Sequence, residues 1–205
     1  MGLPFGDVSQ DRLPDGRALT FPLKGAVAKP LSVEASRPII RSANEGDAAA
    51  LLAIYRPCVE QMTISFETVV PTVEAFRERI ARTLEGWDWI VAEVDNAICG
   101  YAYGSSHRPR AAYRLSVETS AYVDASYHRR GIGSALYAEL FERLTRKGFC
   151  NAFAGITLPN EASIALHRRC GFEPIGVFKR VGYKFGAWHD VAWFQRRLRE
   201  EPLES

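Results

Sequence analysis

The sequence predicts a mixed α/β domain, with a central sheet of about seven strands and about four flanking helices. Three observations lead there. From Pro38 onward, strand-like and helix-like segments alternate, as they do when helices cross between strands. The 205 residues are 47% apolar and 24% charged, enough for one core without staples. Residues 1–36 carry Pro4, Pro14, Pro22 and Pro30 beside Gly2, Gly6, Gly16 and Gly25, and sustain neither period. They read as an extension, poorly structured or packed on the domain, ahead of a domain at residues 37–200.

Ile39 and Ile40 open a short strand. Asn44 is placed to cap a helix over Glu45–Arg56, with Leu51, Leu52 and Tyr55 as its apolar positions and Pro57 ending or kinking it. Thr72 caps a second helix, whose Val73, Phe76, Ile80 and Leu84 share one face before Gly86. Trp89–Val94 and Ala97–Gly104 flank Asp95-Asn96, a hairpin signal. Tyr113–Asp124 alternates: Tyr113, Leu115, Val117, Ala121 and Val123 on one face, Arg114, Ser116, Glu118, Ser120 and Tyr122 on the other. A helix over Gly131–Lys147 follows, with Ile132, Leu136, Leu140, Phe141 and Leu144 inward. Then come a strand at Phe149–Thr157 and a helix at Asn160–Cys170, with Ala162, Ala165, Leu166 and Cys170 on one face. Strands at Phe172–Phe178 and Trp188–Arg197 complete the pattern.

Composition removes several functions. With 26 basic and 24 acidic residues the net charge is +2, which gives no general attraction to a polyanion. The clusters Arg129-Arg130, Arg143, Arg146-Lys147 and Arg196-Arg197 are offset by acidic residues and read as a solvated face rather than a nucleic-acid site. No apolar run reaches about 18 residues, so no membrane span is expected. Cys58, Cys99, Cys150 and Cys170 are scattered, which argues against a disulfide framework or a zinc site and for reduced thiols in the cytoplasm. Met1–Gln10 is broken by Gly, Pro and Asp, so no signal peptide is expected.

The chemistry concentrates at Val123-Asp124-Ala125-Ser126-Tyr127-His128-Arg129-Arg130-Gly131-Ile132-Gly133-Ser134. A strand ends, a basic loop turns, and a helix begins with two glycines. Unpaired first-turn N–H groups and the helix dipole make such a start an anion site suited to a pyrophosphate. Neither a G-x-G-x-x-G fingerprint nor a Walker loop is present. Taken alone, the loop reads equally as a tight strand-to-helix turn.

The helix Asn160-Glu161-Ala162-Ser163, running on to Gly171-Phe172, adds the context. With the loop His128-Arg129-Arg130-Gly131-Ile132-Gly133, the chain resembles the GNAT superfamily of acyl-CoA-dependent N-acetyltransferases over residues 38–199. Residues 101–123, Leu158-Pro159-Asn160, Gly182-Tyr183-Lys184 with Gly186, Trp188-His189-Asp190 and Gln195 look like the branch of phosphinothricin and methionine sulfoximine/sulfone acetyltransferases. His128 stands where Gln or Arg is usual, and Phe185 where many members have His.

The resemblance implies a GNAT fold whose sheet splays in the middle, with acetyl-CoA as co-substrate and no metal. It places the pyrophosphate on Arg129, Arg130, Gly131, Ile132, Gly133 and Ser134, the pantetheine arm along Ala121, Tyr122 and Val123, and Asn160 further along the cofactor. The acceptor is the primary amine of a small amino-acid-like molecule, attacking the thioester directly. Glu118 is implied as the base, or else is an ordinary ion-paired strand glutamate. The N–H of Val123 or its neighbour serves the oxyanion. His167 protonates the leaving thiolate, or is a histidine packed within the fold. Arg108, Arg110, Tyr113 and Phe66 line the acceptor pocket, the arginines suiting a carboxylate or phosphinate. Tyr183, Trp188 and His189 close the pocket, build a homodimer contact or pack in the core. Two alternatives remain on sequence grounds: another amine acceptor (a protein N-terminus, a polyamine or an aminoglycoside), or an acetyl-CoA-binding domain without turnover.

Overall fold

Asn44 opens the described part of the chain with a capping box. Its side chain accepts from Gly46 N, and the Asp47 carboxylate accepts from Asn44 N at 2.9 Å. The structure, a computed structural model, describes residues 37–202; the expected extension at residues 1–36 lies outside them. Strand β1 (Ile39–Ser42) leads through that capped 3-10 turn into α1 (Ala48–Glu60), then α2 (Val73–Gly86), capped by Thr72 Oγ1 on Ala75 N. The hairpin β2 (Trp89–Val94) and β3 (Ala97–Ser106) turns at Asp95-Asn96, both at positive φ. Then follow β4 (Ser116–Val123), α3 (Ile132–Arg146), β5 (Asn151–Thr157), α4 (Glu161–Arg169), β6 (Glu173–Lys184) and β7 (Ala187–Arg197).

The seven strands form one mixed, unclosed sheet in the order β1-β2-β3-β4-β5-β7-β6. Only β4 and β5 run parallel, joined by the α3 crossover. Period two sorts side chains to two cores. Ile90 and Ala92 join Val117, Leu136, Leu140 and Leu144 on the α3 face, whereas Trp89, Val91 and Tyr101 join Leu51, Phe76 and Ile80 on the α1–α2 face.

Several boundaries differ from expectation. Pro57 does not end α1; the helix runs to Glu60 and closes with Gln61 N donating to Pro57 O at 2.9 Å. Val59 on that extra turn is buried, so tertiary burial offsets the amide bond that proline removes. Residues Ala111–Tyr113 form a 3-10 turn, so β4 begins at Ser116 and not at Tyr113. The alternation of β4 itself holds: Val117, Ala121 and Val123 meet the α3 core, and Tyr122 the other. On α4, Ala162 and Ala165 are exposed; the inward face is Ile164, Leu166, His167 and Cys170. Strand β6 runs far past Phe178 as an outer strand, and its residues from Glu173 to Val181 are exposed.

Candidate active site

The sheet comes apart at its centre. Strands β4 and β5 pair only through Ser116↔Asn151, Val117↔Ala152 and Glu118↔Phe153, although β4 continues to Val123 and β5 to Thr157. Asp124 N donates to Cys99 O at 2.9 Å. In an antiparallel ladder, bonded positions alternate. Tyr122, Ser120 and Glu118 therefore direct their backbone groups to β3, while Thr119, Ala121 and Val123 direct theirs into the gap. His128 Nε2 donates to Val123 O at 2.9 Å, holding the carbonyl of that residue while its N–H faces the opening. Tyr122 is thus misplaced for the expected backbone role. Its amide is spent on β3, and its ring sits 5.1 Å from the Tyr55 ring and 5.2 Å from that of Tyr101.

At the end of the gap stands the start of α3. Asp124 Oδ1 accepts from Ser126 N and turns the chain through Ala125–Tyr127. Arg129 and Gly131 then take φ of 62° and 80°. Gly131 is the N-cap of α3 and offers no capping side chain, unlike Thr72 and Asn160 on the helices they start. The first helical bond is Ala135 N to Gly131 O at 3.0 Å. The N–H groups of Ile132, Gly133 and Ser134 precede it and have no intrahelical acceptor. A β-carbon at Gly133 would stand 2.9 Å from Leu166 Cδ2, so this glycine lets α3 and α4 approach. Arg129 and Arg130 are exposed, with Arg130 Cζ 5.0 Å over the Tyr127 ring. Asn160 Oδ1 caps α4 through Ser163 N at 3.1 Å. Uncapped amides, a cation pair and an open strand edge in sequence along one crossover suit a long anionic cofactor that pairs with a strand.

Glu118 lies on the α1–α2 face of β4, paired across the ladder with Ser105. Burial pushes its carboxyl above the usual range, and the Arg108 charge partly opposes that. Arg108, not Arg110, is the arginine whose charge reaches Glu118; Arg110 heads the 3-10 turn, exposed. Arg108 Cζ lies 5.6 Å over the Trp193 ring. Tyr113 is partly exposed, its ring 6.0 Å from that of His107. Phe66 stands on the α1–α2 loop, 6.3 Å from the His189 ring.

Sequence reasoning missed His107. Its ring stacks on Phe153 at 4.2 Å and 10°, and its Nδ1 lies 3.7 Å from Glu118 Oε2, buried and without a hydrogen-bond partner. Burial and the neighbouring Arg108 lower its pKa, so it is neutral near pH 7. The signal was register. Ser105 pairs with Glu118, and two residues on, the same face of β3 reaches His107. Tyr103 was missed likewise: it pairs with Ser120 across the ladder, and it lies within electrostatic reach of Glu118 and of the Arg79–Glu67 pair, which closes at 2.8 Å.

His167 is packed within the fold. Its Nδ1 is 2.7 Å from Ser163 O, which can only accept, so Nδ1 carries the proton. Nε2 then accepts from Tyr137 Oη at 2.8 Å. Burial lowers its pKa. Both nitrogens are occupied, Nε2 by the hydroxyl of the buried Tyr137 and Nδ1 by the Ser163 carbonyl.

The family described as "Acetyltransferase (GNAT) domain" matches residues 40–193. A phosphinothricin N-acetyltransferase of Streptomyces viridochromogenes is 37% identical over 161 residues, 78% of this chain and 88% of the relative. An L-methionine sulfoximine/L-methionine sulfone acetyltransferase of Pseudomonas paraeruginosa is 37% identical over 168 residues, covering 81% and 96% of the two chains. Among solved structures, a phosphinothricin acetyltransferase from Sinorhizobium meliloti in complex with acetyl-CoA superposes with a TM-score of 0.78 at 36% identity, covering 82% of this chain and 94% of that one.

Proposed function

The chain belongs to the GNAT acetyltransferase family, and from that premise we propose that it acetylates the primary amine of a small amino-acid-like substrate, of the phosphinothricin or methionine sulfoximine type, using acetyl-CoA. The observation that carries the reading is the composition of β4. One strand offers a desolvated carboxylate, Glu118, on its acceptor face and open-edge amides at Ala121 and Val123. When bound, acetyl-CoA supplies an activated thioester carbonyl. The N–H groups of Ile132, Gly133 and Ser134, with Arg129 and Arg130, hold its pyrophosphate, and the β4 edge and Asn160 hold the arm beyond it.

Glu118 does the proton work. An aliphatic ammonium cannot attack, and a carboxylate raised toward neutrality takes its proton more readily than an ordinary one. His107, its Nδ1 3.7 Å from Glu118 Oε2, receives or returns that proton directly once the two close to hydrogen-bond distance, because it is neutral. Val123 N–H faces the oxygen on which charge develops, a fixed donor on the open edge of β4. Arg108 binds the carboxylate of the acceptor, and Tyr113 and Phe66 enclose its side chain. The occupied nitrogens of His167 favour a positioning role through Tyr137 over proton donation. The thiolate is a weak base near neutral pH and leaves without an enzymic acid.

We further propose a cytoplasmic homodimer. The free thiols of Cys58, Cys99, Cys150 and Cys170 fit a reducing compartment. The apolar side chains Phe178, Val181, Tyr183, Phe185 and Trp188 crowd exposed onto the β6–β7 hairpin, a surface suited to a second copy. Thiol release from acetyl-CoA, measured against phosphinothricin, methionine sulfoximine, methionine sulfone, common amino acids, spermidine, an aminoglycoside and a short peptide, tests the substrate reading. Turnover confined to the amino-acid analogues supports it; turnover confined to spermidine, aminoglycoside or peptide overturns it.

A further inference from the structure

Lys184, near the end of β6, is a buried lysine that the reaction does not use, at 4% exposure. Its ammonium donates to three backbone carbonyls: Ser65 at 2.7 Å, Met62 at 2.8 Å and Cys58 at 3.3 Å. Three donors meet three acceptors, so the cation is satisfied without an ion-paired carboxylate. Its Nζ also lies 4.9 Å over the Phe185 ring. The carbonyls belong to the end of α1 and the loop after it, more than a hundred residues away in the chain. Cys58 O is one of the last carbonyls of α1, which a helix end leaves without amide partners, and a cation at a helix C-terminus is favoured by the dipole; Met62 O and Ser65 O belong to the loop beyond the cap.

The same loop is held at two more points. Ser65 Oγ bonds Tyr55 Oη at 2.6 Å and accepts from Glu67 N at 3.1 Å. A β-carbon at Gly182 would overlap the Phe66 ring, so that ring packs directly against the β6 backbone. Phe66 is fixed between Ser65, tied to Lys184, and Glu67, tied to Arg79. His189 Nε2 donates to Lys184 O at 3.0 Å and holds the hairpin beneath it.

We propose that Lys184 and Gly182 form a clamp by which the β6–β7 hairpin sets the position of Phe66 and so determines the affinity for the acceptor, with Lys184 a positioning residue. The proposal rests on the reading of Phe66 as a wall of the acceptor pocket. It explains why the Gly182-Tyr183-Lys184 segment needs both a residue without a side chain and one with a long cationic arm: the first seats the ring, the second ties the loop behind it.

The test uses the full chain with the acceptor turned over best. Lys184→Met is expected to raise the acceptor KM about tenfold, with the acetyl-CoA KM and kcat changed less than twofold. Amide hydrogen exchange is expected to speed up over residues 61–70 and stay unchanged over α3. Gly182→Ala, which keeps the lysine, is expected to give the same kinetic signature and covers the case in which Lys184→Met folds poorly. Phe66→Ala alone raises the acceptor KM, and Lys184→Met added to it raises it no further. A Phe66→Ala enzyme with unchanged acceptor KM overturns the pocket reading and the clamp with it. A raised KM in Phe66→Ala beside unchanged values in both clamp variants overturns the clamp alone. Equal rises in both substrates' KM values also overturn it.

Discussion

Replacing Glu118 with glutamine keeps the side chain's shape and removes its basicity. General-base catalysis contributes 10²- to 10⁴-fold in typical enzymes. Glu118 is a third exposed and a candidate relay, His107, stands 3.7 Å off, so water and imidazole retain part of the proton path. The expected loss in kcat/KM is therefore near the lower end, about 10²-fold at pH 7, or ~2.7 kcal/mol at the barrier. The deficit shrinks as pH rises, because free amine accumulates and no longer needs a base. Stability moves the other way. The folded carboxyl binds its proton more tightly than the unfolded one, so it lowers stability as pH rises through the ordinary carboxylate range and beyond, and the penalty persists above the folded pKa. Glu118→Gln is accordingly expected to melt above the wild type at pH 8, the gap closing toward pH 4. Stopped thiol-release assays across pH 6–9 and parallel melting curves check both. A rate within twofold of wild type at pH 7, with an unchanged pH profile, refutes the assignment of the base.

His107→Phe dries the surroundings of Glu118 further; kcat/KM is expected to fall several-fold at pH 6.5 and to recover by pH 9, a shift of the acid limb that pH–rate profiles read directly. His167→Leu strands the Tyr137 hydroxyl, whereas the Ser163 carbonyl keeps its amide partner within α4; an unsatisfied buried group costs about 1–3 kcal/mol, so calorimetry should show Tm lowered by roughly 2–12 °C, while turnover below the melting range falls less than tenfold. Gly131→Ala forces φ near 80° on a residue with a β-carbon. No steric neighbour lies within 4 Å of that β-carbon, so the cost is the left-handed backbone alone, ~1–2 kcal/mol, read as weaker acetyl-CoA binding or lower Tm with the acceptor KM unchanged.

The mixed sheet was legible because strand-like segments alternated with helices that carried local start signals: Thr72, Asn160 and the Asp95-Asn96 turn stand where the residues said they would. The uncapped start of α3 was legible for the same reason, since Gly131, Ile132, Gly133 and Ser134 present backbone geometry that local sequence dictates. The acceptor side was not. Strand register brings Tyr103, and His107 just past the end of β3, to the neighbourhood of Glu118, whereas Arg79 and Glu67 arrive through the packing of α2 and the loop before it. Pro57 misled for a related reason: burial of Val59 and the carbonyl bonds from Lys184, both distant in sequence, sustain the turn after it. His167 showed a titratable side chain in a familiar place, but the partner that engages it, Tyr137, lies on another helix.

Three pairings join β4 to β5, and they divide the sheet into a four-stranded and a three-stranded block. Within each block every pair of neighbouring strands shares more pairings than this, so the seam is where the least hydrogen bonding opposes opening. A cofactor lying along the β4 edge is then more than a reactant. It acts as a removable stave, bonding where the chain does not and bracing the two blocks against each other. Its binding energy adds to resistance against opening in proportion to the logarithm of its concentration over its dissociation constant. Exchange protection in the absence of acetyl-CoA should accordingly be lowest along Thr119–Val123 and Ala154–Thr157 and rise there first as the cofactor is added. The protein's rigidity would thereby register the cell's supply of activated acetyl groups.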